Sequence, residues 1–215
     1  LYVSNRAAEL LGKDVKELKI ITAHLGNGCS MAAVKNGQSM DTTMGFTPLE
    51  GLLMGTRSGD LDPSLILYIM GKEGLTVGEA NTLLNKHSGL IGISGESSDM
   101  REILSAVKDN QQRSKWAFEI FCYRIKKYVG SYAAAMGGLD ALVFTGGIGE
   151  NSKEIREEVC KEMEFLGIHL DDLKNQNADE IISTENSKVK VMRIPTNEEL
   201  VIARDTAKIV SEMQK

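Results

Sequence analysis

The stretch KIITAHLGNGCSMAAVKNGQSMDTTM (19–44) decides the fold. Lys19 to Leu25 is a short apolar run with β-branched residues, and Cys29 to Lys35 is a second. Gly26-Asn27-Gly28 separates them. Asn36-Gly37 follows, the strongest short hairpin signal in the chain, because a type I′ turn needs positive φ at both central residues. Residues 38–44 return as a third strand. The reading is a three-stranded antiparallel meander.

Upstream of it, residues 4–12 read as a helix with Ser4 as N-cap and Gly12 as its stop. Downstream the texture changes. Residues 45–62, rich in Gly, Thr and Asp, read as an irregular loop. Helices are expected at about Pro63–Met70 and at Val77–Lys86, the second capped by Thr76. A Gly/Ser-rich loop covers 88–98, after which Ser97 or Ser98 caps a helix to about Val107. Residues 112–136 form a long helix whose apolar Trp116, Ile120, Phe121, Tyr128 and Tyr132 fall near one stripe. ALVFTGG (141–147) is a strand breaking into a glycine turn, and Asn151-Ser152 opens a helix to about Phe165. Residues 170–187 are polar. KVKVMRI (188–194) is a last strand, and Thr196 caps a final helix to about Met213. Meander, helices, strand–turn–helix, strand and helix in that order mean an α/β domain.

Composition narrows the function. Of 215 residues, 42% are hydrophobic and 26% charged, which excludes wholesale disorder. No apolar run approaches the roughly 18 residues of a membrane helix, so no membrane partner is expected. A net charge of −5 argues against a nucleic-acid surface, so any phosphate must be gripped by a local site. Cys29, Cys122 and Cys160 are widely spaced, without a CxxC pair or a His/Cys cluster. They point to neither zinc nor a disulfide scaffold, and fit a reducing cytoplasm. The first residue is Leu1 rather than Met, which leaves room for a longer parent protein.

Three glycine-containing turns could carry chemistry. HLGNG (24–28) ends a strand in Gly-Asn-Gly, where backbone can approach an anion and Asn27 adds an amide donor; the bland alternative is an ordinary hairpin turn. FTGGIGENS (144–152) leads a strand through glycines into a helix, an arrangement suited to phosphate, although GGxG is not the dinucleotide fingerprint. It serves equally as a structural connection. MGTRSGDLDP (54–63) places Arg57 between Gly55 and Gly59. Its guanidinium suits a phosphoryl group, or else it pairs with Asp60 or Asp62 on the surface. His24 stands at a strand end beside the first turn; His87 and His169 read as surface residues. Glu198 and Glu199 open the last helix, either as favourable charge at its N-terminus or as a carboxylate on a metal ion.

Together, HLGNG, MDTTMGFTPLEGLLMGTRSGDLDP (40–63), FTGGIGENS and IPTNEELVIARDT (194–206), in this order and spacing, closely resemble the acetate kinase (acetokinase) family. The resemblance covers essentially the whole chain, and 40–63 is its most specific part. It implies a ribonuclease-H-like α/β domain of the superfamily of acetate and sugar kinases, heat-shock chaperone ATPases and actin, in which nucleotide lies between two such domains. It implies a C-terminal half that lacks the first domain. Residues 1–196 would be the nucleotide-binding and dimerisation domain, and 197–215 a terminal helix that packs on the missing domain. The implied activity is reversible phosphoryl transfer between ATP and acetate, giving acetyl phosphate and ADP, with Mg²⁺, in a cytoplasmic homodimer. Propionate kinase of the same family and a non-catalytic actin-like nucleotide-binding module are the alternatives.

The resemblance also implies roles. His24, Leu25, Gly26, Asn27 and Gly28 match the segment that contacts the nucleotide phosphates, with Asn27 and Gly28 nearest the transferred group. Arg57 matches the arginine that stabilises the transition state. Asp99, Met100 and Arg101 match a segment lining the adenosine site, and Gly147, Ile148, Gly149, Glu150 and Asn151 match the adenosine turn. Glu198 matches a magnesium-associated glutamate. Such a transfer needs alignment and charge stabilisation more than a covalent protein partner. Without the first domain, the purified 215-residue chain is expected to bind adenine nucleotide weakly and to form no acetyl phosphate. Measurable acetyl phosphate from the chain alone would contradict this.

Overall fold

β1 (Lys19–Leu25) sits at the centre of a sheet whose strand order is β3-β2-β1-β4-β5. The computed structural model describes residues 2–196 together with Ala203, Thr206, Ile209 and Val210, four exposed helical positions. The helix expected after Thr196, with Glu198 and Glu199, otherwise lies outside the described residues. β2 (Cys29–Lys35) and β3 (Gln38–Thr42) complete the expected antiparallel meander, and Asn36 and Gly37 turn it with φ of 56° and 77°. β3 is wholly exposed and stops at Thr42 rather than Met44. β4 (Ala141–Thr145) runs parallel to β1, and β5 (Lys190–Arg193) parallel to β4. This order and mixture of directions is that of a ribonuclease-H-like domain.

Alternation along the strands builds two cores. Ile21, Ala23 and Leu25 of β1 and Leu142 and Phe144 of β4 face one side; Ile20, Ala141 and Val143 face the other. The second side is covered by α1 (Tyr2–Leu11) through Ala7 and Ala8. Ser4 lies buried within this helix instead of capping it, because the helix begins two residues earlier.

The remaining helices follow in chain order. α2 (Pro63–Glu73) is capped by Asp62 and starts with Pro63, whose fixed φ suits a first turn. α3 (Val77–Lys86) has a reciprocal capping box between Thr76 and Glu79. α4 (Gly89–Ser94) lies in a stretch expected to be loop; its glycines hid a buried helix that packs on the next long one. α5 (Met100–Lys108) is capped by Asp99, not by Ser97 or Ser98, since the Asp99 carboxylate accepts from Arg101 N at 2.9 Å. α6 (Gln112–Met136) buries Ala117, Phe121, Ile125, Val129, Tyr132 and Met136. The expected stripe was rotated, for Trp116 and Ile120 are exposed. Next come α7 (Gly146–Asn151), α8 (Lys153–Cys160) and α9 (Asp172–Asn177). α7 is a short helix where a glycine turn was expected, and α8 ends at Cys160 rather than near Phe165. Among the described residues no helix is long and apolar enough to cross a membrane.

The rotated stripe is checked by denaturant unfolding. Phe121→Ala, at a fully buried position, is expected to cost about 3–5 kcal/mol. Trp116→Ala, although it removes a larger side chain, is expected to cost less than about 1 kcal/mol.

Candidate functional site

The parallel pairing of β1 with β4 sets His24 opposite Thr145. The two strands therefore end level, and the turn after each emerges at one edge of the sheet, where open α/β sheets hold ligands. A cleft of about 690 Å³ opens there. Gly26 and Asn27 of the first turn form one wall. Asp99, Met100 and Arg101 at the start of α5 form a second. Gly147, Ile148 and Asn151 of α7 form a third. Eight residues expected at a nucleotide site thus meet in one space although the chain separates them widely.

Other expected residues stand elsewhere. Leu25 is fully buried, with its side chain in the core. Gly149 packs against Phe144 and Ala23. Glu150 does not line the cleft; its Oε1 accepts from Gly146 N at 2.9 Å and from Thr196 N at 3.0 Å, tying α7 to the segment after β5. His24 is half-buried, its ring against Gly146. Glu198 lies outside the described residues. Sequence reading missed Ser98, Leu104, Ser152 and Glu154, which also line the cleft. Leu104 lies one helical turn beyond Met100, so the helix period could have found it. Ser98, Ser152 and Glu154 carry no such signal.

The first turn is held from several directions. Gly26 N donates to Gly28 O at 3.1 Å, Cys29 Sγ donates to Gly26 O at 3.2 Å, and Gly55 N donates to Asn27 O at 3.0 Å. A Cβ at Gly55 would lie 2.0 Å from Asn27 Oδ1, so only glycine lets Asn27 tuck against that loop. Burial pushes the Cys29 thiol up to about 12, against the pull of nearby Arg57, so it stays protonated and is a poor nucleophile.

The Arg57 guanidinium lies over the backbone of Gly28, where a Cβ would stand 3.5 Å from Nη2. Nη1 donates to Pro48 O at 2.9 Å and to Met54 Sδ at 3.4 Å. Neither surface pairing considered for Arg57 is formed: Asp60 binds Tyr128 and Arg124, and Asp62 caps α2. On the second wall, Arg101 grips Asp99 through Nε at 3.0 Å and Nη2 at 2.5 Å, which holds that carboxyl down at about 2. Asp99 is therefore ionised at neutral pH, with its charge balanced before any ligand arrives.

Behind the third wall lies buried Arg156. Nη1 donates to Gly149 O and Glu150 O, both at 2.9 Å, and Nε to Asn175 Oδ1 at 2.7 Å. Burial, with Arg193 nearby, lowers it to about 10, so it remains a cation that braces the α7 carbonyls. The cleft is lined by apolar Met100, Leu104 and Ile148 and by the glycine backbone and amide of Gly26 and Asn27, with the Arg57 guanidinium next to that turn over Gly28. That lining suits a molecule with a flat apolar ring and an anionic tail. Among the described residues no group of three or more His, Cys, Asp or Glu could hold a metal ion.

If the cleft takes an adenine nucleotide, as the sequence resemblance implies, Gly55→Ala is expected to displace Asn27 and weaken ADP binding about tenfold, within the roughly 1–3 kcal/mol typical of overpacking. Calorimetric titration of the 215-residue chain measures it, and an unchanged affinity would remove Asn27 from the site.

Residues 1–204 match the model of the Acetokinase family. The chain is 58% identical over 211 residues to an acetate kinase of Carboxydothermus hydrogenoformans, covering 97% of this chain and 53% of that protein. It superposes on Porphyromonas gingivalis acetate kinase with a TM-score of 0.95 at 53% identity, over 97% of this chain and 53% of the other. A propionate kinase from Francisella tularensis follows at TM-score 0.88 and 48% identity, over 94% of this chain and 52% of the other. The chain spans about half the length of these relatives. With the family model matching residues 1–204 and such identity along nearly the whole chain, the chain belongs to the acetokinase family.

Proposed function

We propose that the protein to which this chain contributes transfers a phosphoryl group reversibly between ATP and acetate, giving acetyl phosphate and ADP. The observation that carries the reading is the Arg57 guanidinium over Gly28, beside the glycine turn of a cleft that apolar side chains also line. The adenine lies by Met100, Leu104 and Ile148, and the phosphates reach toward Gly26–Gly28. An acetate carboxylate oxygen attacks the terminal phosphorus, forming one P–O bond while the bond to the ADP oxygen breaks. Charge spreads over the equatorial oxygens at that moment. Arg57, the Asn27 amide and turn N–H groups meet it already oriented, so little reorganisation is needed. The buried, protonated Cys29 thiol is not placed to act as a nucleophile in this transfer.

Magnesium would come with the nucleotide as Mg·ATP and would neutralise phosphate charge, keeping several waters. Glu198 is the carboxylate we place beside it. We assign residues 1–196 to nucleotide binding and dimerisation, and 197–215 to contact with a further domain. The exposed Ile209 and Val210 support that contact. The exposed Leu65, Leu67 and Tyr68 of α2, a helix with no buried residue, support a homodimer through this domain. Three unpaired, buried cysteines support a cytoplasmic setting. The likeness to a propionate kinase keeps propionate as the second acid, since one methylene is worth only about 1–3 kcal/mol in such a pocket. The joint presence of Arg57, Asn27 and Glu198 disfavours a non-catalytic nucleotide module.

In the full-length enzyme, Arg57→Ala is expected to lower kcat about 10²–10³-fold in acetyl phosphate formation. A fall of less than threefold would end this reading. Rates with acetate, propionate and butyrate then rank the acids.

A further inference from the structure

We propose that Asp60, gripped by Tyr128 and Arg124 of α6, is the positioning residue that fixes where the Arg57 guanidinium stands. The consequence for catalysis rests on the function proposed above; the placement itself does not.

Asp60 closes a loop. Gly51 N donates to its Oδ1 at 2.8 Å, and its own N–H donates to Gly51 O at 2.9 Å. Arg57 lies inside that loop. Gly59, at φ +65°, folds it so tightly that a Cβ there would stand 2.4 Å from Leu52 O. The remaining atoms of Asp60 face α6. Its Oδ2 accepts from the Tyr128 hydroxyl at 2.5 Å, its carbonyl accepts from Arg124 Nη2 at 2.9 Å, and Arg124 Nη1 is 3.8 Å from Oδ2. The Tyr128 ring is itself braced edge-on against Tyr132 at 5.6 Å. Every polar atom of Asp60 is engaged.

The residue also governs both ends of the Arg57 contact. Arg57 Nη1 donates to Pro48 O, and Pro48 lies three residues before Gly51. One carboxylate therefore ties the segment carrying the guanidinium to the segment carrying its acceptor, and anchors both to the longest helix of the domain. Backbone bonds from Ser88 N to Thr56 O and from Leu90 N to Met54 O hold the loop's other flank. On the Asp60 side, Ser58 N donates to Leu84 O at 3.1 Å; these backbone bonds set the loop's path, and Asp60 adds its tie to α6. A misplacement of about 1 Å at such a group can cost about 10²-fold in rate.

The test reads Arg57 directly, by the Nε–Hε resonance of its side chain in the ¹⁵N-labelled 215-residue chain, identified through its loss in Arg57→Lys. The resonance is expected to be displaced from the position of a free arginine in the parent. It is expected to move to the free position in both Tyr128→Phe and Asp60→Asn, with the remaining spectrum preserved. A resonance already free in the parent, or unmoved in Tyr128→Phe, overturns the proposal. If Tyr128→Phe fails to fold, Arg124→Lys, which keeps the cation but not the planar fork, gives the same reading. In the full-length enzyme Tyr128→Phe should lower kcat about 10–100-fold with KM for ATP changed less than threefold. It should have no further effect on kcat in an Arg57→Ala background, whereas a merely structural role would still reduce it. A silent Arg57→Ala would defeat the phosphoryl-transfer reading and leave the spectroscopic result standing.

Discussion

The site depends on one register. Because β4 pairs with β1 in parallel, with His24 opposite Thr145, two strands far apart in the chain stop at the same level. A parallel ladder demands a long crossover, and residues 43–140 supply it. That crossover carries the Arg57 loop and α5 to the edge where the strands end. A shift of one residue would turn Ile21, Ala23 and Leu25 out of the core, so burial enforces the register and the register places the turns.

Charge is arranged around this edge in layers. Arg101 is engaged by Asp99, Arg124 by Asp60, and Arg156 by the α7 carbonyls and Asn175. Among the described residues, Arg57 is held by neutral acceptors, Pro48 O and Met54 Sδ. Its charge is thus less compensated than those of Arg101 and Arg124, which face carboxylates, and remains available to an anion near Gly28. In a molecule with a net charge of −5, such local positive potential has to be built, because the overall field opposes an anionic ligand.

Much of the fold was legible before any coordinates. Period-two alternation, Asn36-Gly37 and the Thr76 cap are local signals, and each produced the expected element. The errors share a physical origin. α4 was hidden because its helix is stabilised by burial of Leu90 rather than by propensity. The α6 stripe was misplaced because size suggested Trp116, whereas the core accepts Ala117 and Phe121. Glu150 sat inside a motif, and motif membership does not say which way a side chain turns.

For the candidate site the division is similar. The chain alone carried the glycines where backbone must approach closely, the lone arginine of the 54–63 loop and the family to which they point, because these follow from residue type and order. Only the folded molecule decided that Arg57 lies over Gly28, that Glu150 faces Thr196 and that Asp60 answers to Tyr128, since such contacts join residues far apart in sequence. Their geometry is set by how helices pack on a twisted sheet, and no local pattern encodes that packing.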